Sequence, residues 1–164
     1  MFKVGPAAKA SGSVWDDKGK SEIAQIYIGG YENRFKFIQF LYVENGNTVA
    51  TSKILGLPCE GGCTFFDMIT LDYPSEYITG VSGWYQDHNG SKFLRLINFH
   101  TNKTTYGPFI ASPANKGLDQ IEFNYQVGSK FHGFFGTYLQ NGVESIGIYS
   151  KPMDKLTEIV KKNI

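Results

Sequence analysis

IAQIYIGGYENRFKFIQFLY, residues 23–42, reads as two alternating runs on either side of a polar turn, and that reading decides the fold. In the second run Phe35, Phe37, Gln39 and Leu41 fall on one side, and Lys36, Ile38, Phe40 and Tyr42 on the other, the period of two that a strand requires. Both faces carry apolar residues, so the strand is expected to be covered on both. The same plan recurs in ITGVSGWYQDHNGSKFLRLINF (78–99) and FHGFFGTYLQNGVESIGIY (131–149). Each copy is a strand, a glycine followed within two residues by an aromatic, a polar turn and a second alternating strand. No single hairpin can bury its own apolar face, so three copies predict three hairpins about one core, with pseudo-threefold symmetry.

Outward from the repeat, strands are expected over 22–28, 64–71, 77–85, 92–99, 118–125 and 144–149. Turn clusters such as Glu44-Asn45-Gly46-Asn47 and Gln140-Asn141-Gly142 punctuate them. With nineteen glycines for the bends, the pattern is that of an all-β sandwich, barrel or prism. Only the tail after Pro152 has helical spacing: Met153, Leu156, Val160 and Ile164 line one face, opposite Lys155, Glu158 and Lys161. We therefore expect a domain over 1–152 and a short amphipathic helix over 153–164, a candidate association element and so a route to a homodimer.

The 164 residues, 41% hydrophobic and 19% charged, suit one domain. Sixteen Lys+Arg against fifteen Asp+Glu give +1, without the field that draws a protein to nucleic acid or anionic lipid. No apolar run has the length of a membrane span or signal peptide, and we expect a soluble protein of the cytoplasm, with the nucleus as a second compartment. In a reducing compartment Cys59 and Cys63 of PCEGGC are expected as structural loop thiols, with a local disulfide or half zinc site as the alternatives. His88, His100 and His132 lie far apart and lack metal-binding helical spacing. Asn89-Gly90-Ser91 and Asn102-Lys103-Thr104 match the glycosylation sequon but read as ordinary turns. No cofactor is expected, and no nucleophile, base and orienter stand together in the sequence.

The order of several motifs carries a resemblance. Lys3-Val4-Gly5, Ser11-Gly12-Ser13 and Trp15-Asp16-Asp17 are followed by DYPSEYITGVSG (72–83), FHTNKTTYGPF (99–109), HGFFGTY (132–138) and SIGIY (145–149). Together, over residues 3–152, they resemble the jacalin-related lectins. That resemblance implies a β-prism I of three four-stranded Greek-key sheets and metal-free binding of a mono- or oligosaccharide. For chains of this kind it also implies a nucleocytoplasmic plant protein with mannose or glucose preference, in defence or stress response. The GTY turn and C-terminal extension look like the sub-family that restricts potyvirus movement, which adds a possible protein partner.

The family's site is a set of loops at one end of the prism, where a carboxylate accepts from two sugar hydroxyls while backbone N–H groups donate back. Carried over, it falls on Gly12, on His88 and Asn89 of the middle turn, and on Gln140, Asn141, Gly142 and Glu144. Here the chain departs from the family pattern. Ala7, Ala8 and Lys9 replace glycines, Gln140 replaces the glycine of a Gly-x-x-x-Asp motif, and Glu144 replaces its aspartate. The extra methylene moves the carboxylate and adds a rotor, so sugar binding survives in altered form or is lost. The plain alternative makes Glu144 a solvated surface carboxylate and Trp15 a core aromatic closing one end. Three functions stand: a sugar-binding lectin module, a degenerate lectin scaffold acting through protein contacts, and a small-molecule enzyme grafted on the prism.

Overall fold

The computed structural model describes all residues except 7–10, 32–33, 52–54, 57–58, 60–61, 89–90, 112–118, 129, 141 and 153–164. In chain order the strands are β1 (Phe2–Val4), β2 (Ser13–Asp16), β3 (Ile23–Tyr31), β4 (Arg34–Glu44), β5 (Asn47–Thr51), β6 (Leu55–Gly56), β7 (Phe65–Thr70), β8 (Ile78–His88), β9 (Ser91–Thr101), β10 (Thr105–Ile110), β11 (Gln120–Gln126), β12 (Lys130–Leu139) and β13 (Gly142–Lys151). The described residues contain no helix. The tail helix expected over 153–164 lies outside them.

Three sheets form, ordered β1-β13-β12-β2, β10-β9-β8-β11 and β5-β4-β3-β7, with the short β6 also paired to β4. Each is centred on one of the three hairpins read from the repeat: β12–β13, β8–β9 and β3–β4. Register proves them equivalent. Every hairpin carries two bulges, the first after Ile23, Ile78 or Phe131 and the second after Gly29, Trp84 or Thr137, six residues further on in each strand. Just before the second bulge, Gly83 and Gly136 leave no room for a side chain. A Cβ at Gly83 would lie 1.9 Å from the Leu96 carbonyl oxygen, and one at Gly136 2.1 Å from that of Ser145.

The bulge overturns one expectation. Gly29 pairs with Phe37 and Gly30 with Phe35, so Lys36 is the extra residue, and the alternation breaks there. Phe35 therefore turns inward with Ile38, Phe40 and Tyr42, all buried. The outer face of this sheet is also not covered as expected: Phe66 is 57% and Met68 54% exposed.

The inward faces meet in one core. Phe134 of the first sheet stacks on Phe40 of the third at 4.6 Å and meets Phe99 of the second edge-on at 5.9 Å, so one ring from each sheet closes the centre. Tyr85, fully buried, ties the second sheet to the first: its hydroxyl donates to the Ile146 carbonyl and accepts from the Ile146 N–H, both at 3.1 Å. Trp15 is buried in this core, as expected. The cysteines depart from the thiol expectation, because Cys59 and Cys63 are joined in a disulfide. The Gly62 N–H donates to the Cys59 carbonyl at 3.1 Å, a turn that brings the two Cα atoms to 5.1 Å, within bridging range.

Candidate functional site

The three hairpin turns converge on one end of the molecule. Arg34, at the start of β4, lays its guanidinium 3.7 Å from the centre of the Phe93 ring in β9. A Cβ at Gly142, which opens β13 with φ +149°, would lie 2.6 Å from the Phe35 carbonyl oxygen. The extra residue of the second bulge is Lys36 in β4, Arg95 in β9 and Glu144 in β13. Two of the three equivalent positions are thus cationic and the third is a carboxylate. Burial lowers the pKa of Arg95, and the neighbouring Arg34 charge lowers it further.

Glu144 owes its position to the bulge. Thr137 pairs with Ser145 and Tyr138 with Val143, which frees Glu144 from the ladder and turns it toward the segment between β1 and β2. Its Oε1 accepts from the Gly12 N–H at 2.8 Å, the Ser11 N–H at 3.0 Å and the Thr137 hydroxyl at 2.9 Å. The Ser11 hydroxyl donates to Oε2 at a longer 3.3 Å, and Thr137 and Ser145 share a hydrogen bond of 2.6 Å. At 3% exposure Glu144 is no solvated surface carboxylate. Gly12 is required where it stands, since a Cβ there would sit 2.5 Å from the Tyr138 carbonyl oxygen and 3.1 Å from Glu144 Oε1.

Of the residues carried over from the resemblance, Gly12 and Glu144 are brought into direct contact and Gly142 seats the turn against β4. Gln140 is exposed at that turn. His88 ends β8 opposite Ser91, at the turn of the middle hairpin, while Asn89 and Asn141 lie outside the described residues. Ser11, Thr137 and Ser145 were missed as site residues. Thr137 has no local signal in the sequence, because only the bulge sets it beside Glu144. Ser11 has only its place beside Gly12.

The carboxylates of the Trp15-Asp16-Asp17 motif hold tyrosine hydroxyls of β13 and β4. Asp16 accepts from the Tyr149 hydroxyl at 2.9 Å and Asp17 from that of Tyr42 at 2.5 Å. Burial raises the Asp17 carboxyl despite the Tyr42 hydrogen bond, and burial with the Asp17 charge drives the Tyr42 phenol well above its usual range. Among the described residues no group of three or more His, Cys, Asp or Glu could hold a metal ion.

A family model for the jacalin-like lectin domain matches residues 4–149. The protein RESTRICTED TEV MOVEMENT 1 of Arabidopsis thaliana is 34% identical over 165 residues, covering 96% of this chain and 91% of that protein. A mannose/glucose-specific lectin of Parkia platycephala is 32% identical over 158 residues, covering 93% of this chain and 32% of that longer protein. Among solved structures, the mannose binding lectin from Champedak superposes with a TM-score of 0.73 at 25% identity, covering 92% of this chain and 97% of that one.

Proposed function

Since the chain belongs to the jacalin-like lectin family, whose fold is carbohydrate-binding rather than enzymatic, we propose that it binds a mannose- or glucose-type sugar at the turn end of its prism, around Gly12 and Glu144. One observation carries this reading: the Glu144 carboxylate and the Ser11-Gly12 backbone meet across more than 130 residues of sequence. A carboxylate beside backbone donors, held rigid and desolvated, is the polar set that suits vicinal hydroxyls. The site departs from an open one in a definite way. The backbone N–H groups that would donate to a sugar donate to Oε1 of Glu144, leaving Oε2 with a single long contact. A sugar then competes with the chain's own hydrogen bonds, and weak binding is the expected consequence. A glycan array run beside calorimetry with mannose tests the reading. Saturable binding supports it, and silence in both sinks it.

The same satisfied carboxylate favours a second reading, a lectin scaffold that acts through protein contacts, to which the likeness to RESTRICTED TEV MOVEMENT 1 adds weight. Its test is partner capture from plant extract that free mannose does not compete away. Under either reading we place the protein in the cytoplasm of a plant cell, in defence.

A further inference from the structure

The outer face of the second sheet carries an open groove of about 450 Å³, lined by Ser82, Trp84, Asn98, Glu122 and Asn124 among others. It shares no residue with the Glu144 site. Strand register explains its shape. Glu122 pairs with Trp84 and Trp84 with Leu96; two residues along, Asn124 pairs with Ser82 and Ser82 with Asn98; two further, Gln126 pairs with Gly80 and Gly80 with His100. Val81, Ile97, Phe99, Phe123 and Tyr125 alternate with these and are buried in the core, so the first set faces outward. The middle strand therefore offers a low floor of Gly80 and Ser82. Side-chain amides stand on both walls, two strand spacings or about 10 Å apart, and Trp84, only 5% exposed, closes one end.

The polar groups of this trough are held ready and incompletely used. His100 Nε2 lies 2.7 Å from the Ser82 hydroxyl and Nδ1 2.9 Å from that of Thr105. Burial lowers the pKa of this histidine, which keeps the ring neutral at pH 7. The Asn98 amide makes only a 3.4 Å contact to Ser82, and among the described residues Asn124 and Gln126 have no side-chain partner. Among the described residues the lining holds one carboxylate, Glu122, and no cation, which is wrong for a phosphate, sulfate or uronate. Its floor is too polar for a lipid. Amides and a carboxylate facing each other across a trough one pyranose wide offer both donors and acceptors, the complement of a chain of hydroxyls.

We propose that this trough is a second saccharide site, independent of the Glu144 loop, which takes a neutral oligosaccharide lying along β8. The test is an NMR titration of the full ¹⁵N-labelled chain and of Glu144→Ala with mannotetraose and maltotetraose. The side-chain amide signals of Asn98 and Asn124 shift saturably in both proteins with at least one of the two sugars, with a dissociation constant on the order of 1 mM. In Asn124→Ala, an exposed and structurally harmless change, the response at Asn98 weakens about tenfold or more, by roughly the 1.4 kcal/mol that tenfold represents. A trough that responds in wild type while the Gly12 and Thr137 signals stay still removes the loop reading and leaves this one standing. Trough signals that do not move at saturating sugar overturn it, as do signals that vanish with Glu144→Ala or answer equally to tetra-alanine, an extended peptide.

Discussion

Glu144 Oε1 accepts three hydrogen bonds from the chain itself, two of them from the backbone N–H groups of Ser11 and Gly12. Reaching them takes the extra methylene that distinguishes this residue from an aspartate. Glu144→Ala strands those part-buried donors, and about 1–3 kcal/mol per donor, the cost when fully buried, is the upper bound. We expect a lower denaturation midpoint with an unchanged urea slope; an unmoved midpoint would mean that water replaces the carboxylate without loss. Glu144→Asp separates the residue's two roles. The shorter side chain releases the Ser11 and Gly12 donors while keeping a carboxylate at the loop, so mannose binding by calorimetry is expected to tighten. Weaker binding in the aspartate variant would show that the sugar depends on the longer reach of the glutamate.

At the scale of the element, the hairpin bulges govern what can change. A methyl group at Gly136 would meet the Ser145 carbonyl oxygen at 2.1 Å and the Trp15 ring at 2.4 Å. Gly136→Ala must therefore open the β12–β13 ladder at the bulge that frees Glu144. Overpacking of this kind typically costs about 1–3 kcal/mol, and hydrogen exchange across β12 and β13 should quicken well beyond that in β8 and β9. Equal exchange in all four strands would contradict the placement of the strain. These bulges also set the limit of what the sequence discloses. The central hairpins over 23–42, 78–99 and 131–149 are legible because alternation and turn residues are local signals. The inward turn of Phe35 is not legible, since the one extra residue of the bulge, Lys36, inverts the period. Nor is the burial of Glu144, whose partners come from the other end of the chain. The edge strands Phe2–Val4 and Leu55–Gly56 are too short to show a period, and the pairing of Cys59 with Cys63 depends on a turn that spacing alone leaves open.

The whole molecule is tied together by a few buried polar groups between its sheets. Tyr85→Phe removes the hydroxyl that bridges both Ile146 backbone groups and should cost about 1–3 kcal/mol, read as a lower denaturation midpoint. Glu76 adds a pH dependence. It is buried, with its carboxylate accepting from the Asp72 N–H and from the hydroxyls of Thr101 and Tyr106. Burial works to raise its pKa, but these hydrogen bonds and the Lys103 charge outweigh burial and hold it below the ordinary 4.5. A depressed folded-state pKa contributes stability that is present above the unfolded value and is lost as pH falls through the folded value. Stability should thus decline as the solution is acidified from about 4.5 downward, and Glu76→Gln should flatten that limb of the curve. An identical acid limb in the variant would assign the decline to other carboxylates. Whether sugar binds where Glu144 meets the Ser11-Gly12 backbone is tested by calorimetric titration of mannose into the wild-type chain and Glu144→Ala side by side. Weak, saturable heat is expected in the wild type and none in the variant. The same binding in both proteins, or none in the wild type, would contradict this expectation.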